Sequence, residues 1–169
     1  MDDFGNQATA VIPRLRRYAR ALTGDALRAD DLVQDTLERA LVKRHLWREG
    51  SDLRAWMFTI MHNVFVNQVR ANPPGLTVEL DDEAYNVPAR SSPVDLIEVG
   101  EIDAAIRRLP VEQREVLLLV ALEQLSYAET AAALDIPVGT VMSRLHRARE
   151  HLRVMLGGEG VAGVLKVVK

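Results

Sequence analysis

The stretch LSYAETAAALDIPVGTVMSRLHRAREHLR, Leu125 to Arg153, decides the fold. It reads as two helices across a tight turn. Ser126 and Glu129 have capping-box spacing: the Ser126 hydroxyl can accept from the Glu129 backbone N–H, and the Glu129 carboxylate can reach back to the Ser126 N–H. Ala128, Ala131, Ala132 and Leu134 follow, small enough for another helix to pack close. Pro137 lacks a donor and Gly139 permits a sharp bend, so one helix ends and another begins between Asp135 and Gly139. The second helix keeps one apolar line, Val141, Leu145, Ala148 and Leu152, at i, i+4, i+7, i+11. The opposite face carries Ser143, His146, Arg147 and Glu150, flanked by Met142, Arg144 and Arg149. Val138 to Arg153 holds four arginines against one glutamate. An arginine-bearing second helix across a glycine-containing turn is the helix-turn-helix arrangement, whose second helix lies in the DNA major groove. The arginine fork suits guanine O6 and N7. The plainer alternative is a solvated basic face.

Bulk composition says little alone. The chain has 169 residues, 48% hydrophobic and 27% charged, with a net charge of −3. Its distribution says more: residues 1–75 carry 11 basic and 9 acidic side chains, residues 76–103 one basic and eight acidic, and residues 104–169 nine basic and seven acidic. The acidity is confined to a middle segment between mildly basic flanks. Cysteine is absent, which excludes disulfides and thiolate metal sites. The N-terminus lacks the basic start and apolar core of a secretory signal, and no apolar run reaches the roughly 18 residues of a membrane helix. A soluble, cytoplasmic protein with no membrane insertion is expected. No Gly-rich phosphate loop or nucleophile elbow occurs. His62 has no second ligand at helical spacing, and His146 and His151 are five apart. No enzyme, no metal site and no cofactor is expected.

Along the chain, residues 1–7 read as loose. A basic helix follows from Ala8 to Leu22, with Pro13 near its start, where proline is tolerated. A second helix runs from about Arg28 to Leu46, with an apolar line of Leu32 or Val33, Leu37, Ala40 and Leu41. Another face of it carries Asp31, Gln34, Asp35 and Glu38, an acidic strip. Helix-dipole compensation explains such a strip as well as a docking face for a basic partner does. The turn Glu49–Asp52 caps a third helix, Leu53 to about Arg70. Its core stripe is Leu53, Trp56, Met57, Ile60, Met61 and Val64. Phe58, Thr59, His62, Asn63, Val66, Asn67 and Arg70 remain, groups that suit unstacked bases; alternatively Phe58 packs on another helix. Residues 71–93, with four prolines, lose periodicity and read as a linker. Helical spacing returns from Val94 to Leu109 and from Glu112 to Leu122, and MLGGEGVAGVLKVVK ends the chain without a pattern.

Taken together these motifs resemble the sigma-70 family of bacterial RNA polymerase sigma factors, in its extracytoplasmic-function (ECF) group. Asp30–Thr36 is similar to the core-polymerase-binding helix, Trp56–Asn63 to the helix that melts and reads the minus-10 element, and Pro137–Arg149 to the minus-35 recognition helix. The resemblance spans roughly residues 8–155. It implies an all-α chain of two small helical domains, sigma2-like (8–71) and sigma4-like (94–155), joined by an acidic flexible linker (72–93) and followed by a tail (156–169). It implies core RNA polymerase and promoter DNA as partners, and control by an anti-sigma factor. Core polymerase would meet Asp31, Leu32, Gln34, Asp35 and Glu38. The minus-35 element would meet Thr140, Met142, Ser143, Arg144, His146, Arg147 and Arg149. A flipped minus-10 base would sit at Asn63, among Phe58, Thr59, His62, Val66 and Asn67. Met142 departs from relatives that place a polar residue there. Two rival readings differ in what they require. A stand-alone helix-turn-helix regulator binds duplex DNA without polymerase, and an interaction adaptor contacts no promoter.

Overall fold

The computed structural model describes residues 2–71 and 93–157, with side chains of the second segment described from residue 100. Every regular element among them is helical. The expected linker, apart from Pro93, and the expected tail beyond Gly157 lie outside the described residues.

Helix α1 spans Asp3–Thr23 and begins five residues before the expected Ala8. Its start is held by local chemistry. Asp2 accepts from the Gly5 N–H at 2.9 Å, and the Phe4 ring packs on Trp47 and Trp56 with centroids 5.6 and 6.2 Å apart. Pro13 therefore sits mid-helix rather than in the first turn. Gly24, at φ +68°, ends α1 in the left-handed region that glycine adopts at little cost. Asp25 caps α2 (Ala26–Val42) through the Leu27 N–H. That helix stops four residues before the expected Leu46, and a single 3-10 turn, Arg44–Leu46, follows. Asp52 caps α3 (Leu53–Ala71), its carboxylate accepting from the Arg54 N–H at 3.0 Å. The three helices close on Leu15, Tyr18, Leu22, Leu32, Met57 and Met61, all buried.

Helix α4 (Pro93–Arg108) leads to α5 (Val111–Leu117), which widens into a π-helical turn at Leu118–Leu122 rather than running straight to Leu122. Helices α6 (Tyr127–Leu134) and α7 (Val138–Met155) complete the second half. The capping box is formed in both directions, Glu129 N–H to Ser126 Oγ at 3.0 Å and Ser126 N–H to Glu129 Oε1 at 2.9 Å. The bend between them is not made by Gly139, which lies inside α7. Asp135 makes it, at φ +53°, with Pro137 preceding the first turn of α7. Aspartate tolerates the left-handed region because its short side chain bonds locally. Val141, Leu145, Ala148 and Leu152 are all buried, as their spacing predicts.

The two halves do not stand apart. Helix α6 lies along α3, and α1 meets the π turn. Arg114 ties the halves at their backbones. Its guanidinium donates to Leu22 O at the end of α1 (2.7 Å), to Ile106 O (3.1 Å) and Arg107 O at the end of α4, and to Leu109 O (2.9 Å). Carbonyls at a helix end lack the next turn's N–H, Ile106 O accepting also from the Leu109 N–H at 3.1 Å, and a cation suits that end of the helix dipole.

Candidate nucleic-acid interface and docking faces

The second helix of the helix-turn-helix presents one open face. Met142, Ser143, His146 and Arg147 are exposed on α7, while Thr140, Arg144 and Arg149 lie half-buried beside them. The face is open because the opposite line is spent on the core against α5 and α6. Ser143 Oγ donates back to Gly139 O at 2.8 Å, so the hydroxyl offers an outside group mainly its lone pairs. Arg153 binds Glu150 at 3.0 Å and, through that bond, holds the Glu150 carboxyl below the usual glutamate range. This pair takes up the segment's one acid and leaves Arg147 as an exposed cation at the middle of the face.

Helix α3 divides the residues that sequence grouped together. Phe58 is only 1% exposed, its ring edge-on to Tyr18 with centroids 5.1 Å apart. It is core, and its assignment to a base-contacting surface is corrected. Its neighbours at i−4 and i+4, Arg54 and His62, fall on the same side of the helix. Both turn to the second half: Arg54 Nη1 donates to Glu123 O at 3.0 Å, and His62 Nδ1 lies 3.2 Å from Glu115 Oε1. The remaining positions, Thr59, Asn63, Val66 and Arg70, follow i, i+4, i+7, i+11, with Asn67 alongside. Asn63, Asn67 and Arg70 are exposed; Thr59 and Val66 are half-buried. Thr59 Oγ1 donates to Ala55 O at 3.1 Å.

On α2, Asp31, Gln34, Asp35 and Glu38 are all exposed, whereas Leu32 is 0% exposed and belongs to the core. Direct contact of Leu32 with a partner is thereby corrected; Leu32 and Val33 are both buried, because the bundle covers more than one line of the helix. Two grooves adjoin the strip. One, of about 520 Å³, runs between α2 and α3 and is lined by Asp35, Glu38, Arg39, Val42 and Asn67. The other, of about 730 Å³, lies between the halves and is lined by Asp31, Asp35, Phe65, Val111 and Arg114. Gln68 bridges toward the strip, donating to Asp35 at 2.8 Å.

Two features escape the sequence reading. Leu41 is 64% exposed rather than on the core line, and with Val42 and Leu46 it makes an apolar patch at the end of the acidic strip. The second feature is a charged contact across the halves. Glu123 is 0% exposed, yet its carboxylate meets a single donor, Arg17 Nη2 at 3.3 Å, and its Oε2 has no hydrogen-bond partner. Burial pushes the Glu123 carboxyl above its ordinary range, and the attraction of Arg17, Arg14 and Arg54 only partly opposes this. Burial also pushes the Tyr18 hydroxyl well up, with Glu115 and Glu123 adding to the effect. Among the described residues no cluster of His, Asp or Glu could hold a metal ion, and no helix is long and apolar enough to cross a membrane.

Both halves are matched by known families. Residues 9–62 match the family model described as the Sigma2 domain of PhyR, and residues 100–152 match Sigma-70, region 4. The chain is 40% identical over 161 residues to an ECF RNA polymerase sigma factor, EcfG, of Rhodopseudomonas palustris; the match covers 94% of this chain and 88% of the relative. It is 30% identical to the ECF sigma factor SigW of Bacillus subtilis, over 92% of this chain and 89% of that one. Among solved structures, the sigma factor RpoE of Bartonella quintana, crystallised with the anti-sigma factor NepR, superposes with a TM-score of 0.79 at 33% identity, covering 94% of this chain and 99% of that chain. With an open arginine-bearing recognition helix in one half, an acidic strip in the other and relatives aligned across nearly its full length, this chain belongs to the ECF group of RNA polymerase sigma factors.

Proposed function

We propose that this sigma factor reads the minus-35 element through the open face of α7 and the minus-10 element through the Thr59, Asn63, Val66 and Arg70 line of α3. Arg147 and Arg144 meet phosphates and base edges, with His146, Ser143 and Met142 between them. Asn63, able both to donate and to accept, receives a base flipped from the duplex, and Asn67 borders the same strip. Unstacking a base costs a few kcal/mol, so the receiving surface must be formed beforehand, and a helix face provides that. Core polymerase docks on Asp31, Gln34, Asp35 and Glu38 together with Leu41, Val42 and Leu46. Acidic groups steer a basic partner, and burial of the leucine patch supplies the larger share of affinity. The polymerase carries out RNA synthesis; this chain supplies promoter choice in the cytoplasm. The near-neutral total charge fits a protein that binds free DNA weakly and promoters only within the holoenzyme. By likeness to the NepR-bound relative, an anti-sigma factor restrains it.

The observation that carries this reading is the open α7 face on a complete helix-turn-helix. Transcription in vitro, with core polymerase and a genomic fragment library, tests it. Starts that depend on the chain and share two upstream boxes are expected. Tight duplex binding by the chain alone, without stimulation of core polymerase, would instead make it a stand-alone regulator. Leu41→Asp is expected to lower affinity for core polymerase at least tenfold while leaving the fold intact, since the side chain is in solvent; unchanged affinity removes the leucine patch from the docking face.

A further inference from the structure

The contact between the halves bears on how the chain can reach a promoter. A globular chain of this length has a radius of gyration of about 15 Å and so measures roughly 40 Å across. The minus-35 and minus-10 elements are some 25 base pairs apart by their names, on the order of 80 Å at 3.4 Å per pair. With α6 lying along α3, the two reading helices cannot serve both elements. The 21 residues between Ala71 and Pro93 can span at most roughly 80 Å when extended, so covalent connection permits the separation that packing forbids.

The packed seam is also chemically uneven. Its charged part is short of partners. Glu123 brings a carboxylate into the seam with no exposure, one long bond to Arg17 and one oxygen without a partner. Arg17 and Arg54 both come from the first half. Arg17 also donates to Leu122 O at 3.3 Å, and Arg54 to Glu123 O at 3.0 Å. The Arg17 side chain is 54% exposed, so it can be withdrawn by a competing anion without dismantling the core. Burying a charge is tolerable only while it is paired, and removing one partner leaves the full desolvation penalty on the other.

We propose that the packed arrangement is a closed state of the free sigma factor, held by a latch in which Arg17 and Arg54 keep the Glu123 carboxylate buried, and that losing those two arginines drives the halves apart. Glu123 is thus the element that makes closure reversible. While paired it stays in the seam, and once unpaired it gains by returning to water, which only separation of the halves allows. His62 and Glu115 occupy the same seam and are freed together with it. The consequence for promoters rests on the sigma-factor reading, but the latch itself does not.

The absence of cysteine lets two introduced thiols be labelled uniquely. Spin labels at Glu49→Cys and Arg153→Cys, both exposed and one in each half, report the distance between halves in the full-length chain without polymerase. Native background is expected to give one short, narrow distribution. Arg17→Ala with Arg54→Ala is expected to raise the ratio of long to short distances at least tenfold at unchanged helix content. Adding Glu123→Gln is expected to return the short distribution, since an amide costs far less to bury than a lone carboxylate. If the double arginine variant lost helix content, Arg17→Ala alone, at a side chain half in solvent, provides the same comparison with a smaller shift. A distribution indifferent to the arginine changes would overturn the latch. An opening that Glu123→Gln fails to reverse would overturn the role of the carboxylate. Promoter-specific transcription is scored separately, so failure of the sigma-factor reading shows there and leaves the distance result standing.

Discussion

Helices α3 and α7, the two we propose to meet nucleic acid, are built on different terms. Helix α7 buries one narrow line within its own half and leaves the opposite face in water. Helix α3 is gripped on two sides, by α1 and α2 through Met57, Phe58, Ile60 and Met61 and by the second half through Arg54 and His62. On that proposal, recognition by α7 is a matter of exposed side chains. Recognition by α3 is confined to the strip left between two buried sides, and it is coupled to whether the halves are packed. A recognition helix inside a self-contained module can be read from one face; a helix at a seam must be read from three.

The largest effect expected from this difference falls on α3. Phe58→Ala empties a core site beneath Tyr18 and is expected to cost about 3–5 kcal/mol of stability, measured by urea unfolding. Asn63→Ala, five residues on, is expected to change stability by less than about 0.5 kcal/mol and to impair promoter opening more than closed-complex binding. If Phe58→Ala were stable and selectively defective in opening, the side chain would have to leave the core to meet a base, and the division of α3 would be wrong. If Asn63→Ala weakened closed-complex binding and opening alike, the strip would be a general DNA contact and not a receptor for a flipped base.

The local parts of this structure were readable from neighbours in sequence. The capping box at Ser126 and Glu129, the cap at Asp52 and the Val141–Leu152 line each depend on groups within one or a few helical turns, so spacing decides them. What spacing could not decide is which of two possible companions a face has. Phe58 finds its companion in Tyr18 of α1, forty residues back in the sequence, and not in solvent. Leu41 fits an apolar line, but at this turn the bundle covers α2 on the Ala40 side and leaves Leu41 in water. The early start of α1 did leave a signal: Asp2 at a cap position, with Phe4 as the aromatic that ties the first turn down. The break falls between Asp135 and Gly139 as the sequence indicates, but Asp135 and not Gly139 takes the left-handed position, because its short side chain can. The pairing of Arg17 with Glu123 spans 106 residues, and no local pattern announces it.

A middle-sized effect tests the open helix. Arg147→Ala is expected to lose about 1–3 kcal/mol of discrimination between promoters differing in the minus-35 box, with little change in stability. Competition between two such promoters for holoenzyme measures it directly. Uniform weakening on all sequences would move Arg147 from base edge to phosphate, and would leave His146 and Met142 to carry base preference on that face.

The smallest effect concerns the seam and is read from pH. The Glu123 carboxyl titrates above its ordinary range in the fold, because burial outweighs the pull of Arg17, Arg14 and Arg54. The folded chain therefore binds this proton more tightly than the unfolded chain does. The stability it contributes is complete below the ordinary glutamate range and is lost as pH rises through the raised folded value. Glu123→Gln removes that loss. Its stability relative to the native chain is expected to be near constant in acid and to climb between those two limits, by no more than about 1.4 kcal/mol per pH unit for one proton. Taking the difference between the two chains cancels the carboxylates they share. A difference that fell with rising pH would mean that the arginines overcompensate burial, so that the ionised carboxylate strengthens the seam. Helix α3 would then be held on its second side as firmly as on its first, and the contrast with α7 would lie in position alone, not in how readily each helix is released.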